Sequence, residues 1–126
     1  MESRVYFDAQ AKAVVVEVVG AATAADLDAL RLSIREQGRL CAAESLLVDL
    51  SAFDPSRLSS AVVRDRAREP WETFRLVAQV APRDEVFGLA RMYELSAPEP
   101  PGKARASFRT RDEAVAWLTG GGALAR

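Results

Sequence analysis

The chain has 126 residues, with 17 basic and 18 acidic groups, a formal net charge of −1, 49% hydrophobic residues and no histidine. This length predicts a single domain with one real core. The balanced charge lacks the clustered cations with which a nucleic-acid binder displaces counterions from phosphates, so no nucleic-acid partner is expected. Without histidine the commonest general base and transition-metal ligand is missing, and most hydrolase and metalloenzyme designs go with it.

Arg4 to Phe7 reads as a short strand, residues 8–12 as a turn, and Ala13 to Val19 as a Val-rich strand, together an antiparallel hairpin. In the second strand Val14, Val16 and Val18 share one face while Ala13, Val15, Glu17 and Val19 share the other. Such a two-sided apolar strand belongs inside a sheet. Gly20 is expected to break it. Thr23 with Asp26 three residues on reads as an N-cap with an acidic first turn, opening a helix from about Ala24 to Gln37. Leu27, Leu30 and Ile34 form its apolar stripe, and Gly38 is placed to end it in the left-handed region.

Ser45 to Leu50 is a short apolar run predicted to be a buried strand parallel to the Val-rich one, with a loop from Ser51 to Pro55. A mostly polar helix is expected from about Ser59 to Glu69, closed by Pro70. Trp71 and Phe74 then cover the core edge before a strand from Arg75 to Ala81. Pro82 opens a helix whose Val86, Leu89, Ala90 and Tyr93 follow the i, i+3, i+4, i+7 rule. Residues 97–103 carry three prolines and read as a surface loop. Ala104 to Arg109 is a last strand, and Thr110 with Glu113 reads as a capping box ahead of a helix that places Ala114, Trp117 and Leu118 on one face. Gly120, Gly121 and Gly122 end it, giving one domain over residues 1–120 and a flexible tail over 121–126.

Cys41 is the only cysteine, which removes any internal disulfide or Cys-x-x-Cys site and fits a reducing, cytoplasmic setting; its apolar surroundings predict an inert buried thiol. Residues 1–5 show no signal pattern, and no apolar stretch reaches the ~20 residues of a membrane span. The acidic pairs Asp84–Glu85 and Asp112–Glu113 sit in helix first turns, where the macrodipole accounts for them. No spacing supports a carboxylate or Ser/Lys mechanism, so neither an enzyme nor a cofactor is expected.

The order of these elements predicts an α/β fold, a mixed sheet of four to five strands with about four helices. This order, with Val48-Asp49-Leu50-Ser51 before a loop and helix and the closing string from Arg109 to Leu118, resembles the STAS superfamily, which includes the bacterial anti-sigma-factor antagonists. The strand Val77 to Pro82 and the helix string Val86 to Tyr93 look closer still to small bacterial STAS-like proteins sometimes grouped with CRAL-TRIO-like lipid-binding domains. In phosphorylation-switched members the strand end leads into Asp-Ser-Ser-Gly, whose serine receives phosphate from a partner kinase. Here the ungapped alignment puts Arg57-Leu58-Ser59-Ser60 there, and a one-residue shift brings only Ser59 onto the serine. Helix capping explains Ser59 and Ser60 at least as well.

The resemblance implies a non-catalytic regulatory or protein-interaction module with a protein partner, a second copy of the chain included. Its interaction or phosphoswitch loop would comprise Phe53, Asp54, Ser56, Arg57, Ser59 and Ser60. The alternative is carriage of a small apolar or lipid-like ligand. Its lining, or else a partner surface, would comprise Trp71, Phe74, Phe87, Gly88, Met92 and Tyr93, joined by Phe53. Gly88 in a helical pattern predicts a close approach by a neighbour or ligand, and Phe87 and Met92, off the apolar stripe, predict an exposed patch.

Overall fold

A computed structural model of the chain describes residues 1–96 and 99–122. In chain order its elements are β1 (Glu2–Asp8), β2 (Ala13–Ala21), α1 (Ala24–Cys41), β3 (Ser45–Asp54), a single 3-10 turn (Pro55–Arg57), α2 (Ser60–Ala67), β4 (Leu76–Val80), α3 (Asp84–Leu95), β5 (Ala104–Phe108) and α4 (Arg111–Thr119). The five strands form one sheet in the order β1-β2-β3-β4-β5, with β1 antiparallel to β2 and the other pairs parallel. The expected α/β architecture is therefore present.

Strand order settles where the helices go. The connections β2-α1-β3, β3-α2-β4 and β4-α3-β5 all step the same way across the sheet, and right-handed crossovers stepping one way land on one face. The core is split accordingly. Val14, Val16, Val18, Leu46 and Val77 pack with Leu30 and Ile34 of α1 and Val86 and Ala90 of α3. On the opposite face Val15, Leu47, Leu76, Ala78 and Val80 pack with Ala114, Trp117 and Leu118 of α4. The parity expected for the Val-rich strand is the observed one.

Local chemistry explains the boundaries. The β1–β2 turn closes on Asp8, whose Oδ1 accepts from the Gln10 and Ala11 N–H groups at 2.8 and 3.2 Å. Thr23 and Asp26 form a complete capping box, each accepting from the other's backbone N–H at 3.2 and 3.0 Å. At Thr110 only half the expected box forms: its Oγ1 accepts from the Glu113 N–H, while the Glu113 carboxylate accepts from the Thr110 hydroxyl instead of its backbone.

Three expected boundaries are corrected. Gly20 does not end β2; it holds φ +83° inside the strand, where a side chain would be strained, and still pairs with Phe53. β3 likewise runs on to Asp54 instead of turning into a loop at Ser51, because β2 continues beside it. Gly38 does not end α1, which continues to Cys41 and closes at Ala42 in the left-handed region. Gly38 serves packing instead: a Cβ there would stand 2.7 Å from Phe74 Cζ. Cys41 is half-buried, not buried, and accepts from Gln37 Nε2 at 3.3 Å.

After α4, Gly121 and Gly122 remain tied to the helix, donating to the Leu118 and Trp117 carbonyls at 3.2 and 2.9 Å. The rest of the expected tail, 123–126, and residues 97 and 98 of the expected proline-rich loop lie outside the described residues.

Candidate functional site

Between the sheet and helices α1, α2 and α3 lies a pocket of about 170 Å³. Its floor is Val16 and Val18 of β2, Leu46, Val48 and Leu50 of β3, and Val77 and Gln79 of β4. Leu27, Leu30 and Ile34 of α1, Val63 of α2, and Val86, Leu89 and Ala90 of α3 form the walls. Trp71 and Tyr93 close one side, joined by a Trp71 Nε1 donation to the Tyr93 hydroxyl at 2.9 Å. Arg31 and Arg66 are its charged members, and Gln79, 6% exposed, is held by Nε2 donating to the Ala90 carbonyl at 3.0 Å.

A shift in pairing brings Phe53 into this pocket. Between the pairs Glu17–Asp49 and Val19–Ala52 one residue intervenes on β2 but two on β3. The extra residue reverses the alternation along β3, so Phe53 lines the same pocket as Leu46, Val48 and Leu50 despite its odd spacing from them. Arg83 donates to the Phe53 carbonyl and anchors this strand end.

The structure divides the residues singled out in the sequence. Of the loop set, Phe53 is buried and belongs to the pocket, whereas Asp54, Ser56, Arg57, Ser59 and Ser60 are exposed. Asp54 Oδ1 accepts from the Ser56 N–H at 2.9 Å, and this bond holds its carboxyl below the usual aspartate value. Ser59 caps α2, its hydroxyl accepting from the Val62 N–H at 3.2 Å. Ser60 opens the helix.

Of the apolar set, Trp71 and Tyr93 line the pocket. Phe74 is instead sealed in the core at 1% exposure, against Gly38 and edge-on to Trp71 at 5.5 Å. Phe87 and Met92 do not form the expected exposed patch: both are half-buried, and Phe87 lies under the Arg109 guanidinium at 4.0 Å. Gly88 is exposed, and a Cβ there would meet nothing within 4 Å, so the close approach expected of it is found at Gly38.

A second constellation was invisible in the sequence. On the α4 face Arg111 reaches Tyr6 Oη at 2.8 Å, Glu17 Oε2 at 3.2 Å, Asp49 Oδ2 at 3.3 Å and Asp8 Oδ2 at 3.7 Å. Glu17 and Asp49 are register partners on adjacent parallel strands, so their carboxylates stand side by side; Arg111 bridges the two, and Arg4 Nη1 adds a second cation at Glu17 Oε1 at 3.2 Å. The Tyr6 hydrogen bond is the main cause of an Arg111 pKa above the ordinary arginine value. Only the alternation flaw at Glu17 in an otherwise apolar strand could have pointed to this cluster. From the sequence Arg66, with Arg64 and Arg68, reads as part of a solvated polar face, and Arg31 does not break the polar pattern of its helix; both line the pocket instead. Among the described residues no group of three or more His, Cys, Asp or Glu is placed to hold a metal ion, and no helix is long and apolar enough to cross a membrane.

No protein-family model matches the sequence, and no curated protein matches it. Among solved structures the chain is similar to an uncharacterised protein of the DUF3478 family with a SpoIIAA-like fold from Shewanella loihica PV-4. The TM-score is 0.65 at 16% identity, over 92% of this chain and 93% of that one. At this identity the likeness speaks to architecture alone. The mixed five-stranded sheet with helices on both faces is accordingly a SpoIIAA-like, STAS-like α/β fold.

Proposed function

We propose that the protein is a non-catalytic binding module whose pocket between the sheet and helices α1 to α3 takes up a small apolar or lipid-like ligand. The observation that carries this reading is the pocket itself: about 170 Å³ of space, partly open at the surface and walled by Val, Leu, Ile, Phe and Trp side chains between the sheet and the helices. Interiors are normally packed to crystal density, so a gap of this size forfeits contacts that a ligand would restore. An apolar cavity of about 150 Å³ is enough to hold benzene.

Native mass spectrometry of freshly purified protein tests it, and an adduct released on denaturation is the expected result. Substituting Ala90→Leu, which extends a side chain from α3 into the space, should remove that adduct. A wild-type protein that stays apo and takes up no added apolar compound overturns the reading.

A second reading, a protein-interaction module resembling the anti-sigma-factor antagonists, is favoured by the position of Ser59. It sits exposed at the start of α2, beside exposed Arg57, where added phosphate would meet free helix N–H groups. Pull-downs with the wild type and with an Arg57→Ala/Ser59→Ala variant should then recover different proteins; identical recoveries reject it. The two surfaces share a segment, since Phe53 and Leu58 line the pocket while Asp54, Ser56, Arg57 and Ser59 carry the exposed side.

A further inference from the structure

The pocket is not uniformly apolar, and its polar members are arranged with a bias. Arg31 lies over the Trp71 ring at 4.0 Å from its centroid, donates Nη2 to the Pro70 carbonyl at 2.6 Å and pairs with Glu69 at 3.4 Å. Arg66 is held by both terminal nitrogens: Nη2 to Asp28 at 2.8 Å and to the Ala24 carbonyl at 3.2 Å, Nη1 to Glu69 at 3.4 Å. Its Nε–H, by contrast, is buried and has no partner. A buried donor on a charged group is rarely left without an acceptor. Both arginines line the same pocket, and Gln79 adds a fixed carboxamide on its floor. The acids that face them, Glu69 and Asp28, are 44% and 62% exposed and are drawn outward as the arginines' own partners. Burial, with the nearby cations Arg35 and Arg105, keeps the Arg31 pKa below the ordinary arginine value against the opposing pull of Tyr93 and Glu69. The Arg31 guanidinium is thus poorly solvated, and it shares its acid, Glu69, with Arg66.

We infer that the ligand is a small amphipathic anion, its apolar body in the Val/Leu/Ile-lined space and its carboxylate head accepting from Arg66 Nε and facing the Arg31 guanidinium. This assignment rests on the pocket being a ligand site. A guanidinium pinned by its outer nitrogens offers Nε–H in a fixed direction, which suits an oxyanion better than a neutral hydroxyl and repels an amine. The volume sets the size: about 170 Å³ takes one ring or a chain of about six to eight carbons, by comparison with a benzene-sized cavity of about 150 Å³.

The test is calorimetric titration of the full chain with octanoate, 1-octanol and octylamine, with Trp71 fluorescence reporting entry into the pocket. Octanoate should bind at least about tenfold more tightly than octanol, as expected of one charge-assisted hydrogen bond, and octylamine should bind least. Arg66→Met should bring octanoate down to the level of octanol while octanol is unchanged. Arg66→Lys, which keeps a cation for Asp28 and Glu69 but lacks Nε–H, should lose most of the preference and guards against misfolding of the first variant. Equal binding of octanoate and octanol by the wild type overturns the anionic head and leaves the pocket standing. An octanoate preference that survives both substitutions overturns the role of Arg66. Failure of all three compounds to bind overturns the pocket as a ligand site, and the head assignment with it.

Discussion

The two faces of the sheet solve the same problem with different means. One face is covered by α1, α2 and α3, and their side chains leave about 170 Å³ unfilled above β2, β3 and β4. The other is covered by α4 alone, nine residues long, yet Trp117 and Leu118 are 4% and 5% exposed there. Trp117 packs tilted against Phe108 at 5.6 Å, and Arg111 closes the far end by gathering Tyr6, Glu17, Asp49 and Asp8. One helix with a large aromatic can settle onto a sheet independently. On the reading proposed above, a ligand would occupy the face covered by α1 to α3, with the α4 layer behind it.

Truncation should expose this difference most strongly. Trp117→Ala is expected to cost about 3–5 kcal/mol, whereas Leu30→Ala, at the border of an existing gap, should cost nearer about 2 kcal/mol. Urea denaturation measures both, and the reverse order would break the contrast between the faces. Arg111→Met removes the ion pair of Asp49 and leaves Glu17 with Arg4 alone, and should cost about 1–3 kcal/mol, since part of the side chain remains exposed and solvent screens the repulsion. Adding Asp49→Asn should recover part of that loss in a double-mutant cycle. Gly38→Ala drives a methyl into Phe74 and should destabilise by about 1–2 kcal/mol despite alanine's better helix propensity. Ala90→Leu grows into the open space, so its melting temperature should stay close to that of the wild type even as ligand uptake is lost.

The smallest effect concerns the start of α1. Chiefly through its bond from the Thr23 N–H, the Asp26 carboxyl titrates below its ordinary value of 3.8. A depressed folded-state pKa contributes stability above the unfolded value and loses it as pH falls through the folded one. A carbon-detected NMR titration should place Asp26 below 3.8 and show the Thr23 amide moving with it. A midpoint at or above that value would remove the capping box from the account.

Much of the architecture was legible because it follows local rules. The alternation in residues 13–19, the Thr23 and Ser59 caps and the 3.6-residue stripes of α1 and α3 depend on near neighbours. The candidate site was legible only in part. Phe53, Trp71 and Tyr93 stood out as aromatics, but their companions Val16, Leu30 and Val77 were indistinguishable from any core residue. Phe74 could be read either as core or as pocket lining, because burial in a core and exposure to a pocket leave the same trace in a sequence; it lies in the core. Arg111 was missed because its partners lie 62 to 105 residues away. Gly38 misled because glycine's local rule, freedom at positive φ, competes with a tertiary one, room for a neighbour, here Phe74.

By itself the sequence determined the element order, the caps, the faces of the Val-rich strand and the α/β class, all of which follow from spacings of a few residues. Only the tertiary structure decided which helices share a face, how the extra residue in β3 turns Phe53 into the pocket, and which arginine nitrogen is left without an acceptor. These outcomes depend on how distant segments meet once packed, where the volumes and unpaired donors of one element are answered by another.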